Sequence, residues 1–156
     1  MKVLIWAGGL ALAAFIGLAV LMRLAGPGEV LGMDAAVIER TGKPNDYLAA
    51  VPGTTSADVD RELSVRDLPA REHLFLFDAI ARNAPRVSVK AGSVKEGRIV
   101  YVQRSLVFGF PDTILAEAVN LEGGSGLIVY SRSEFGHSDL GVNKARIDAW
   151  LEALGD

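Results

Sequence analysis

The sequence predicts an α+β protein with one N-terminal transmembrane helix followed by a small domain, in which a curled antiparallel β-sheet is packed by about two helices. Three observations predict it. Residues 3–22, VLIWAGGLALAAFIGLAVLM, form an unbroken uncharged run. Four β-rich segments between residues 86 and 133 are separated by turns bearing glycine or proline. Two further stretches, about 69–83 and 144–154, repeat their apolar residues at helical spacing.

Taken in order, the N-terminal run is long enough to cross a bilayer, since about 20 helical residues rise through roughly 30 Å. A cleaved signal peptide is the competing reading. Its apolar region is ordinarily shorter, about 7–15 residues, and a cut after Ala25 would place Arg23 where a small residue is wanted. The expected division is therefore an anchor over 1–25, a linker over 26–43 and a soluble domain over 44–156. Gly9, Ala13 and Gly17 stand at i, i+4 and i+8 and stack small residues on one stripe, which permits close packing of a second helix. That points to the lipid bilayer as a partner, with another membrane protein or a second copy of the chain against the anchor. Lys2 and Arg23 flank the run and give the positive-inside rule little to act on; the expected placement is a single-pass protein of a bacterial inner membrane, N-terminus cytoplasmic and C-terminal domain periplasmic.

The punctuation AGPGEVLG reads as linker. Residues 41–63 carry two prolines, two glycines and many turn-forming polar residues, and read as extended or irregular chain anchored by Tyr47 and Leu48. Leu74, Phe77, Ile80 and Ala81 mark a helix bounded by Pro69 and Pro85. Strands are expected at 86–90, 98–108, 113–121 and 126–133, with GGSG at 123–126 as a hairpin turn. Their short connections leave no room for parallel crossovers. In the last helix Ile147, Trp150, Leu151 and Leu154 line one side; Asn143 is the expected N-cap, with Val142 and Ile147 as a hydrophobic staple. Ser138, Asp139 and Gly141 form the turn before it.

Composition removes several function classes. With Lys2 and Arg23 set aside, 14 basic residues face 19 acidic ones, so nucleic acid is not an expected partner. There is no cysteine, hence no disulfide and no thiolate metal site, and the two histidines, His73 and His137, are too far apart in sequence for a zinc-hydrolase motif. His137, Ser138 and Asp139 are consecutive, so their side chains diverge instead of forming a relay. No cofactor is expected. Arg104 and Arg132 lie inside strand-like runs, where a charge is costly unless partnered. With Arg146 near them they would bind an anion or headgroup; internal pairing with Asp112, Glu117 or Asp139 is the favoured reading, since buried charges usually have a partner.

Two segments, YVQRSLVFGFPD at 101–112 and SRSEFGHSDLGVNKARI at 131–147, resemble the two signature blocks of the domain-of-unknown-function family 1499 (DUF1499). The resemblance covers about residues 44–154. It implies an envelope-facing domain and marks Gly109, Asp112, Ser138, Asp139, Gly141 and Asn143 as structural signature residues; it brings no agreed activity. Two departures stand out. Where many members carry paired cysteines in an early block, this chain has KPNDY at 43–47, and His137 stands where an aromatic is more usual. The function expected from all this is a non-catalytic accessory or interaction module on a membrane protein complex. The alternative is a small module binding lipid or another amphipathic ligand.

Overall fold

Alternation along the central strands sorts their side chains onto two faces, and both faces are covered. The computed structural model describes residues 2–24 and 32–156, with the side chains of 6, 9–10, 13–21 and 24 within the first helix. The elements are α1 (Lys2–Leu24), β1 (Asp46–Ala50), β2 (Arg61–Glu62), α2 (Ala70–Asn83), β3 (Val87–Ser93), a short 3-10 turn (Val94–Glu96), β4 (Arg98–Arg104), β5 (Pro111–Leu121), β6 (Gly124–Ser133) and α3 (Val142–Leu154). The strands form a six-stranded sheet in the order β2-β1-β6-β5-β4-β3.

On the first face Ile99, Tyr101, Ile114, Ala116, Leu127 and Val129 pack against Leu74 and Phe77 of α2 and Ile147, Trp150 and Leu151 of α3. The rings of Phe77, Tyr101 and Trp150 meet one another at centroid distances of 5.9–6.5 Å, in tilted and edge-to-face pairs that complement the ring quadrupoles. On the second face Leu48, Val100, Leu115, Ile128 and Tyr130 are covered by Ala35 and Ile38, with Met33, Ala57 and Val59 packed alongside. The β3–β4–β5–β6 ladder is antiparallel throughout. Leu121 pairs with Gly124, so the β5–β6 hairpin turn is as short as Glu122–Gly123, and Gly124, Ser125 and Gly126, expected in the turn, belong to β6.

Several expectations are corrected. The expected all-antiparallel sheet of about four strands is a mixed sheet of six, because β1 pairs with β2 in parallel and with β6 antiparallel. The stretch expected to be irregular supplies both of the added strands, and Tyr47 and Leu48 are buried on opposite faces of β1. Among the described residues no helix is long and apolar enough to cross a membrane. The expected transmembrane anchor falls with that finding, as does the single-pass inner-membrane placement with a periplasmic domain. Within α1, Gly9, Ala13 and Gly17 are exposed, and a Cβ on either glycine would meet nothing within 4 Å. Most of the expected linker, residues 25–31, lies outside the described residues.

The helix predictions hold for α2 and α3 but not for the start of α3. Its N-cap is Gly141 in the left-handed region at φ 81°, and Asn143 lies inside the helix. Asp139 takes the capping role, one carboxylate oxygen accepting from the Gly141 amide (2.9 Å) and the other from the Asn143 amide (2.7 Å). No staple forms: Val142 is exposed while Ile147 is buried.

Candidate functional site

Two loops meet at one end of the sheet, 105–110 between β4 and β5 and 134–141 between β6 and α3. The first folds back on itself. Ser105 N donates to Phe110 O (2.9 Å), Phe110 N donates to Ser105 Oγ (2.9 Å), and Arg104 donates through a guanidinium nitrogen to the carbonyl of Gly109, whose φ is 72°. The second is tied to the segment before β1: Asn45 Nδ2 donates to Gly136 O (3.1 Å).

Beneath both loops lies a buried polar network centred on Asn143 and Arg146. The Asn143 side-chain amide donates to Asn45 O (3.0 Å), Ser133 Oγ (3.1 Å) and Asp139 Oδ2 (2.7 Å). Its carbonyl oxygen accepts from Ser131 Oγ and from Arg146 (2.6 Å). Arg146 also donates to Ser131 Oγ (2.9 Å), to Gln103 Oε1 and to Asp112 Oδ2, and the other oxygen of Asp112 accepts from Ser133 Oγ (2.7 Å). Charge burial is tolerable here because Arg146 and Asp112 are paired and their remaining hydrogen-bonding capacity is largely taken up, while the half-buried Asp139 is held by three amide donors. The signature residues Asp112, Asp139, Gly141 and Asn143 are thus brought together, with Ser138 at the surface and Gly109 across the gap.

The three arginines do not form one site. Arg104 and Arg132 share the second sheet face by strand parity, but β5 lies between their strands. Arg132 pairs with Glu134 (3.4 Å), which also accepts from Thr113 Oγ1. Arg146 works from α3 on the first face and pairs internally with Asp112. His137 is exposed, and Asp139 is committed to the amides and side chain of α3, so the His137–Ser138–Asp139 run acts as a turn.

Sequence reasoning missed Asn45, Gln103, Ser131 and Ser133, polar residues whose partners stand far along the chain. It also missed the Arg40–Asp46–Tyr130 cluster. There Asp46 accepts from Arg40 (2.7 Å), the Thr41 amide (2.8 Å) and the Tyr130 hydroxyl (2.9 Å). Burial raises the Asp46 carboxyl, but these donors together hold it below its ordinary value; burial and the same carboxylate push the Tyr130 hydroxyl up. A third cluster sets His73 Nδ1 3.0 Å from Ser125 Oγ and His73 Nε2 3.5 Å from Asp156 Oδ2. The order of groups is that of a hydrolytic relay, yet Ser125 and His73 are 0% and 1% exposed, so no substrate reaches the hydroxyl.

Above the network the loops enclose a cleft of about 170 Å³, lined by Ser105, Phe110, Asp112, Ser133, Phe135, Ser138, Asp139 and Val142. Phe110 and Phe135, both in the lining, pack on each other with ring centroids 6.2 Å apart. The two loops also carry an apolar rim of exposed side chains that do not themselves line the cleft: Leu106 is 70% exposed, Val107 58% and Leu140 94%. Leu140 also sits at φ 57°, a left-handed conformation in which leucine is strained. Phe108 stacks on Phe110 and meets Phe15 of α1 at 5.3 Å.

The model of one family, described as a protein of unknown function (DUF1499), matches residues 38–154. The chain belongs to the DUF1499 family. No curated protein and no solved structure matches it. In this DUF1499 chain the matched region begins at the segment covering the second sheet face and ends with α3, so it contains the whole network and both loops.

Proposed function

We propose that the chain is a non-catalytic interaction module that docks a partner protein on the loop end of its sheet. One observation carries the reading: large apolar side chains stand exposed on two loops held in place, the first by its own Ser105–Phe110 and Arg104–Gly109 hydrogen bonds and the second by the Asn45–Asn143–Asp139 network. Exposed apolar groups held on a pre-ordered frame bind at low entropic cost, whereas a mobile loop would lose that advantage on docking. The alternative, a module for lipid or another amphipathic ligand, is favoured by the apolar walls of the cleft. Its volume argues against it, because ligand pockets usually hold about 300–1,000 Å³ and this one is about 170 Å³. Two larger grooves lie elsewhere: one of about 480 Å³ beside Pro69, Phe75 and Val94, and one of about 420 Å³ beside Arg86, Arg104, Leu106 and Gly109, which reaches a single signature residue.

The test is site-specific photo-crosslinking in the native cell, with the reactive group placed at Val107 or Leu140 and, as a control, at Phe75 on the outer side of α2. The reading expects one adduct of common mass from both loop positions, lost on Leu106→Asp. No adduct, or the same adduct from Phe75, refutes it.

A further inference from the structure

Resting on that reading, we infer that the cleft receives a cationic side chain, lysine or arginine, from the docked partner. The lining decides the sign. Arg146, the cation beneath the cleft, is spent on Asp112, Ser131, Asn143 and Gln103, so an incoming anion finds carboxylates and no uncommitted guanidinium in the lining. Asp112 accepts two hydrogen bonds and Asp139 three. Two carboxylates offer about eight lone-pair sites, so acceptor capacity is left over. The Asp112 charge is balanced by Arg146, and that of Asp139 meets only neutral amide donors.

The walls suit the same ligand. Phe110 and Phe135 line the cleft as a packed pair of rings, and a cation within about 6 Å of a ring centroid, over an open ring face, is attracted by its quadrupole. The oxygens of Ser105 and Ser138 already accept backbone amides and retain a second lone pair for an ammonium or guanidinium donor. A cavity of about 170 Å³ suits one side-chain head better than a folded ligand. The apolar rim would then hold residues two positions to either side of the cation, so the partner segment is one basic residue with apolar ones spaced around it.

The test uses the full chain labelled with 15N and three acetylated, amidated peptides, Leu-Ser-Lys-Ser-Leu and its analogues with norleucine or glutamate at the centre. The lysine peptide is expected to shift the amides of Phe110, Phe135, Ser138 and Asp139 and to bind about tenfold more tightly than the other two, the gap closing in high salt. Phe135→Leu, which keeps the rim apolar and removes a ring at an exposed position, is expected to reduce the preference for lysine. Equal binding of all three peptides would overturn the cation assignment while leaving the rim as a docking surface. Stronger binding of the glutamate peptide would overturn it too. Absence of shifts from any peptide at millimolar concentration would overturn both the inference and the choice of this end of the sheet.

Discussion

Replacing Arg146 with methionine keeps most of the side-chain length and removes the charge. In the folded chain that leaves Asp112, itself 9% exposed, with Ser133 as its remaining side-chain donor, and withdraws donors from Ser131, Asn143 and Gln103. Breaking a buried pair by removing one partner costs about 3–5 kcal/mol, because the other charge stays buried. In a domain of this size 1 kcal/mol moves Tm by roughly 4 °C, so Arg146→Met is expected to melt about 12–20 °C lower in a circular-dichroism scan. Asp112→Asn added to it removes the stranded charge, and the double variant is expected to regain several degrees. If Arg146→Met melts within about 2 °C of the parent, or if Asp112→Asn on top of it lowers Tm further by its full single-variant amount, the pair is not the buried anchor described above.

Three other outcomes follow from single contacts. Gly124 has φ 144°, and a Cβ there would stand 1.9 Å from the carbonyl oxygen of Arg66, so Gly124→Ala should break the bridge between Arg66 and Ser125 and lower Tm by more than about 8 °C. Tyr101 donates to Asp78 (2.8 Å) in a buried position, so Tyr101→Phe should cost about 1–3 kcal/mol by denaturant unfolding, with the m-value unchanged. Burial pushes the His73 imidazole below its ordinary value, the Asp156 carboxylate opposing and Arg66 adding to the shift. The unfolded chain therefore binds the proton first: this contribution is flat above about pH 6.5 and is lost as pH falls from there toward the lower folded value. His73→Gln should flatten that slope, and an unchanged slope would show that another group sets it.

Much of the architecture is legible because burial on one side prints a period on the chain. Leu74, Phe77 and Ala81 mark α2, and Ile147, Trp150 and Leu151 mark α3. Turn residues mark most ends of β3 to β6, but β4 stops at Arg104, four residues short of the expected 108, because the apolar Leu106, Val107 and Phe108 carry no turn signal and still leave the ladder. β1 escapes that signal because it is covered on both faces: Tyr47 and Ala49 join one apolar cluster, Leu48 and Ala50 the other, so no polar alternation survives. β2 has two residues, too few to carry any period. Asn143 reads as an N-cap because asparagine favours that position; its side chain turns instead to a network whose members lie up to 98 residues away. That Arg104 and Arg132 share a face is readable from strand parity once register is known, whereas the strand between them, and the pairing of Asp112 with Arg146, depend on tertiary order.

A buried polar frame and side chains displayed for a partner have separate roles in this fold, and thermal melting of Leu140→Asp beside Asn143→Ala tests that separation most directly. Leu140 is 94% exposed at φ 57°, a conformation aspartate tolerates better than leucine, so its variant should melt within about 2 °C of the parent or slightly higher. Asn143 is 0% exposed and bonded to Asn45, Ser131, Ser133, Asp139 and Arg146, so its variant should fall by about 8–15 °C, as expected when several buried partners lose a bond. Similar losses in both variants would contradict the account by making Leu140 part of the core.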